Sequence, residues 1–175
     1  INPYYEFVEK NPIRPLTKIP KDKKGYFLLR HGDQVDRAHA PDFTQKAFEI
    51  IVSMKRGKEK DGVLVSHGGI NSGYSLYLDD GRIAFACRNN GDLKKILSKK
   101  VIPSENITVT AKLRNDGHAQ DFVDNELLVQ SGSFELIKTF PQDPLEVGND
   151  SLSSVSDYQR RTKFKGEISK VLIKM

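Results

Sequence analysis

Tryptophan is absent from this chain of 175 residues, cysteine occurs once, and no stretch sustains a helical period. Each absence excludes something. A single thiol, Cys87, rules out an internal disulfide, so stability has to come from a packed core. No apolar run approaches the ~20 residues of a helical membrane span, and no signal peptide opens the chain. The first residue is Ile rather than Met, which points to a mature or excised fragment. The missing signal is then uninformative about compartment, and cysteine usage leaves cytoplasm and bacterial periplasm equally open. Aromatic residues are also missing from the basic clusters at 21–24, 55–60, 94–95, 99–100 and 160–161. A formal charge of +5 without interleaved rings reads as solvated turns and lysine-protected sheet edges, not as a nucleic-acid platform.

What the chain does contain is short alternating segments separated by turns. The plainest lies between Gly62 and Arg88. Asp80-Gly81 is the pair that a two-residue type I′ turn requires, because both positions need φ > 0. That turn sets Leu78 opposite Ile83, Leu76 opposite Phe85 and Tyr74 opposite Cys87. The other face pairs Asp79 with Arg82 in a salt bridge, Tyr77 with Ala84 and Ser75 with Ala86. One face is wholly apolar, and a slip of one residue would destroy the segregation. Leu76, Leu78, Ile83, Phe85 and Cys87 are therefore expected in a core with Phe48, Ile50, Val109 and Leu113.

Residues 1–24 hold Pro3, Pro12, Pro15 and Pro20 and end in a lysine run, which reads as an extended lead or linker. A first strand follows at 25–30. Residues 31–44 read as a polar loop. Residues 46–54 alternate with Phe48, Ile50, Val52 and Met54 inward, Ile51 being the one apolar exception on the outward side. Further strands are expected at 63–65, 94–98, 106–113, 120–129 (a hairpin closed at Asp124-Asn125), 134–137, 145–147 and 166–173. The last changes apolar phase between Ile168 and Val171, which suggests a bulge. About ten strands and no helix imply an all-β, antiparallel β-sandwich over residues 25–175.

Little catalytic chemistry is visible. The nearest approach to a glucanase carboxylate set, Asp121, Asp124 and Glu126, fails in order and spacing and reads as hairpin-turn residues. His31, His39, His67 and His118 lie in or beside loops with no metal-binding spacing. Two features survive. In the long polar loop 148–164, Asp150 and Asp157 are candidate calcium ligands, with no other cofactor implied. On the outward hairpin face, the small residues Ser75, Ala84 and Ala86 surround Tyr77, with Arg88 at the end. Such a patch is either a platform for a sugar ring or is buried beneath another segment, for which Tyr4, Tyr5 and Phe7 of the lead are the expected cover. Tyr77, Arg88, His67 and Asn71 are the candidate carbohydrate-binding residues.

RAHAPDF at 37–43, DGVLVSHGG at 61–69, GYSLYLDDGRIAFACR at 73–88, PQDPLEVGND at 141–150 and FKGEISKVLIKM at 164–175 together resemble the C-terminal β-sandwich of bacterial arylsulfatase-type enzymes. That module is similar to laminin-G and concanavalin A-like jelly rolls. The resemblance implies a non-catalytic accessory module of a periplasmic or secreted enzyme, packed on a sulfatase catalytic domain and engaging sulfated or acidic polysaccharide. The sulfatase signature itself is absent: Cys87 is followed by Arg88-Asn89-Asn90-Gly91, so this chain alone cannot hydrolyse a sulfate ester. Asn125 stands where a hairpin glycine is expected. The alternatives are an independent lectin-like carbohydrate-binding module and, further off, a glycoside hydrolase or lyase of the same fold.

Overall fold

The computed structural model describes residues 10–175. In chain order the strands are β1 (Arg14–Leu16), β2 (Phe27–Leu29), β3 (Asp33–Val35), β4 (Phe48–Lys55), β5 (Gly62–Gly68), β6 (Gly73–Asp79) and β7 (Arg82–Asn89). They continue with β8 (Asp92–Val101), β9 (Ile107–Leu113), β10 (Ala119–Val123), β11 (Glu126–Ser131), β12 (Leu145–Val147) and β13 (Glu167–Lys174). A seven-stranded sheet has the order β1-β3-β12-β5-β6-β7-β8, and a six-stranded sheet the order β11-β10-β9-β4-β13-β2. The described residues contain no helix. This is the expected β-sandwich.

The β6–β7 hairpin has the register that its turn dictates, from Asp79 opposite Arg82 to Tyr74 opposite Cys87. Asp80 and Gly81 take φ of 51° and 79°. The side chains of Asp79 and Arg82 form no ion pair; Arg160 instead reaches Asp80 at 3.1 Å and Asp61 at 3.7 Å. In the β10–β11 hairpin Asp124 and Asn125 take φ of 47° and 69°. Asparagine tolerates this left-handed conformation, so no glycine is needed there. Leu76, Leu78, Ile83, Phe85 and Cys87 share one core with Phe48, Ile50, Val109 and Leu113. The bulge in β13 falls between Ile168 and Lys170, as the phase change requires.

Other elements differ from the sequence reading. The strand expected at 94–98 is ten residues long, and it is an edge strand lined by lysines. Residues 134–137 are not a strand: Phe134 and Ile137 are buried, but their neighbours' backbone groups bond the Asn89 side chain instead of a ladder. The loop 31–44 contributes β3, and the segment read as a lead contributes β1, which pairs parallel to β3. Arg14 holds β1 there through two bonds to Asp33, at 2.5 and 2.9 Å, and Ile19 reaches the core. Asp121 is no turn residue. It points into the core from β10 with both carboxylate oxygens unpartnered, and burial pushes its pKa well up.

Candidate functional site

Each sheet has one outer face, and the two faces are treated differently. On the seven-stranded sheet, Val63, Tyr77, Ala84 and Ala86 form a small second cluster closed over by Tyr158 and Leu93. The segment 148–164 lies across it as a strap. The Tyr158 ring meets Tyr77 edge-on at 4.9 Å, and its hydroxyl donates to Asp150 Oδ2 at 2.6 Å and accepts from the Ser75 hydroxyl at 2.7 Å. Tyr77 bonds Ser156 Oγ at 2.8 Å, and burial pushes its pKa up to about 12. Arg88 donates to the carbonyls of Val155 at 2.5 Å and Gly91 at 2.8 Å. Small residues at 75, 84 and 86 leave the depth that a second layer of aromatic side chain needs.

The expected sugar-binding set therefore does not converge. Tyr77 is 4% exposed beneath the strap, and Arg88 is spent on holding the strap down. His67 is not a loop residue: it lies in β5, fully buried among Phe43, Tyr74 and Phe140, with its Nε2 unpartnered. Desolvation lowers its pKa to about 4, so it is neutral near pH 7. Only Asn71 is exposed, in a loop cleft of about 240 Å³ beside Phe140 and Gln142. The cover predicted from Tyr4, Tyr5 and Phe7 lies outside the described residues; the strap has taken that position over Tyr77.

The two candidate calcium ligands are engaged separately by protein donors. Asp150 is buried and accepts bonds from Tyr158 and from the Val155 amide, with desolvation pushing its pKa up to about 6. Asp157 accepts two bonds from Lys95, at 2.8 and 3.0 Å, and a third from Ser156 Oγ at 3.3 Å. A carboxylate neutralised by a lysine is a poor ligand for a second cation. Among the described residues no group of three or more His, Cys, Asp or Glu side chains converges on a metal position.

Among the described residues, none forms a strap across the outer face of the six-stranded sheet. Strand registers lay its outward residues in rows that cross all or most of the strands. One row runs Leu28, Leu172, Ile51, Thr110, Phe122, Leu127, and its members are half-exposed or exposed. None of its apolar residues belongs to either buried cluster. A second row runs Lys174, Glu49, Lys112, Gln120, Gln130, and on the other side Lys170 lies opposite Ser53 and Thr108 follows. Lys112 Nζ sits 5.0 Å from the Phe122 ring centre, and Lys174 Nζ 5.5 Å from that of Tyr26. The charged row opens into a cleft of about 460 Å³ lined in part by Ala47, Arg114, Asp116 and Met175. An apolar stripe between two polar rows is an amphipathic trough (it offers dispersion contacts along its floor and hydrogen bonds along its rims). Sequence reasoning missed this site, although Ile51 had signalled it as the apolar residue on the wrong side of β4.

No family model and no curated protein matches the chain in sequence. Solved structures do match in shape. The CBM40 domain of a Ruminococcus gnavus IT-sialidase bound to α2,3-sialyllactose is 16% identical over 73% of this chain and 74% of its own, with a TM-score of 0.56. Mouse laminin α1 domains LG4-5 are also 16% identical, over 85% of this chain and 38% of theirs, with a TM-score of 0.56. A NanB sialidase from Streptococcus pneumoniae is 11% identical over 85% of this chain and 26% of its own, with a TM-score of 0.60. These likenesses lend nothing to the sulfatase attachment that the sequence resemblance implied; what they establish is the fold, a laminin G-like and lectin-like β-sandwich.

Proposed function

We propose that this chain is a carbohydrate-binding module, and that glycan lies on the open face of its six-stranded sheet. The observation that carries the reading is the half-exposed row Leu28–Leu172–Ile51–Thr110–Phe122–Leu127, held between polar rows. A sugar ring has the matching character, with C–H groups on its faces and hydroxyls at its edge. Its faces lie on Ile51, Leu172 and Phe122, while its hydroxyls reach Gln120, Gln130, Thr110 and Ser53. Shape likeness to a CBM40 domain solved with sialyllactose supports the same reading. It stands closer to the independent lectin-like module than to a sulfatase accessory domain, for which no side chain or neighbour described above speaks.

A glycan array probed with the wild-type chain, Phe122→Asp, Leu172→Asp and Tyr77→Phe tests it. Binding should vanish in the two open-face variants and survive in Tyr77→Phe, with all four melting cooperatively. Retention of binding in both aspartate variants would move the site off this face.

A further inference from the structure

Resting on the reading that the open face holds glycan, the row beside the apolar stripe specifies which kind. Lys174, Glu49 and Lys112 are direct cross-strand partners on β13, β4 and β9. Adjacent strands are ~4.8 Å apart, so the backbone positions of the two lysines stand ~9.5 Å apart with that of Glu49 midway between them. The row alternates in charge at close to the spacing of successive sugar rings laid across the strands.

Neither lysine is tightly held. Lys174 has no carboxylate partner among the described residues, and Lys112 lies 3.7 Å from Glu49, a loose contact. Each ammonium rests instead over an aromatic ring, Tyr26 or Phe122. An exposed cation–π contact is worth only ~0.5–1 kcal/mol, little enough for an arriving anion to displace. Arg114 differs, since Asp116 holds it at 2.9 Å. Glu49 has the opposite preference. It repels an acidic group placed above it and accepts a hydrogen bond from a neutral sugar's hydroxyl.

We propose that the ligand is a glycan in which acidic and neutral sugars alternate. It runs across the strands with acidic groups at Lys174 and Lys112 and a neutral sugar over Glu49. A polymer with a carboxylate on every ring places like charge against Glu49 and is discriminated against by that residue. Lys170, on the far side of the stripe, adds to the positive field that draws such a chain in.

The experiment is calorimetric titration of the chain with four probes: hyaluronan and chondroitin oligosaccharides, which alternate, an oligogalacturonate of equal length, and a neutral cello-oligosaccharide. An alternating probe should bind at low salt and weaken as salt rises. Oligogalacturonate should bind about tenfold more weakly, the size of two or three exposed charge contacts. Lys112→Gln and Lys174→Gln should each lower affinity for the alternating probe about fivefold, and Glu49→Gln should bring oligogalacturonate up towards it. Thermal melts confirm that the variants fold. The inference fails if oligogalacturonate binds wild type as well as the alternating probes, or if Glu49→Gln leaves the ratio unchanged. Binding of the neutral probe alone overturns this inference and leaves the carbohydrate-binding reading intact. No binding to any probe, together with a blank array, overturns both.

Discussion

The two outer faces of this sandwich differ in what their side chains leave behind. On the seven-stranded sheet, Ser75, Ala84 and Ala86 are too short to shield the sheet, and the strap fills the space with Tyr158. On the six-stranded sheet, Ile51, Leu172 and Phe122 stand tall enough to shield the backbone themselves and remain half-exposed. Small residues around one aromatic mark a surface that the chain covers. Mid-sized apolar residues lined up between polar rows mark a surface left open, and an open apolar row of that length on a folded domain is worth explaining by a ligand.

The comparison can be broken most directly by truncating one residue on each face. Tyr77→Ala empties the space under the strap and removes the bond to Ser156, so it should cost ~3–4 kcal/mol, a loss plain in a denaturant melt. Phe122→Ala on the open face should cost no more than about 1 kcal/mol, because solvent already reaches the ring. Equal losses would mean that the two faces are packed alike.

A second test uses pH, because Asp150 under the strap and His67 in the core titrate in opposite senses. Asp150 under the strap has its pKa raised to about 6, above the ~3.9 of the unfolded chain, so protonation favours the fold. Stability from this group rises as pH falls from about 6 towards 4, by roughly 2–3 kcal/mol. His67 in the core has its pKa lowered to about 4, so the unfolded chain takes up its proton first. Stability from that group is lost over the window from ~6.5 down to 4, by a similar amount. Near cancellation is expected in the wild type, apart from Asp121, whose raised pKa adds to the Asp150 side. Asp150→Asn should leave Asp121 and His67 opposed and flatten the response to acid, whereas His67→Phe should give a protein that gains stability steeply on acidification. Melts between pH 4 and 7 read both outcomes, and matching slopes in the two variants would refute the assignment.

The smallest expected effect concerns calcium. Because Asp150 is bonded to Tyr158 and Val155, and Asp157 to Lys95, chelation by EDTA and added calcium should each leave the melting temperature unchanged. A rise with calcium would require the strap to rearrange, and would weaken the contrast between a sealed face and an open one.

How far these features could be read in advance depends on their range along the chain. The β6–β7 register follows from one turn and sixteen contiguous residues, because left-handed φ at Asp80-Gly81 and strict alternation allow no other pairing. The bulge in β13 and the fold class were legible for the same reason, as each is a pattern within one or several local segments. Even the anomaly at Ile51 was visible. What it meant was not, because its partners Leu172, Thr110, Phe122 and Leu28 come from four other strands, and local pattern fixes none of those pairings.

The sequence by itself therefore determined the sandwich, the central hairpin and which side of β4 and β9 is buried. Steric limits on φ and the two-residue period of a strand act over a few bonds and need no partner. Only the tertiary structure decided that the strap at 148–164 seals Tyr77, that His67 is a core residue, and that separate outward residues join into one row. Those outcomes turn on which distant segments meet, which is settled by burying the most apolar surface with every strand satisfied at once.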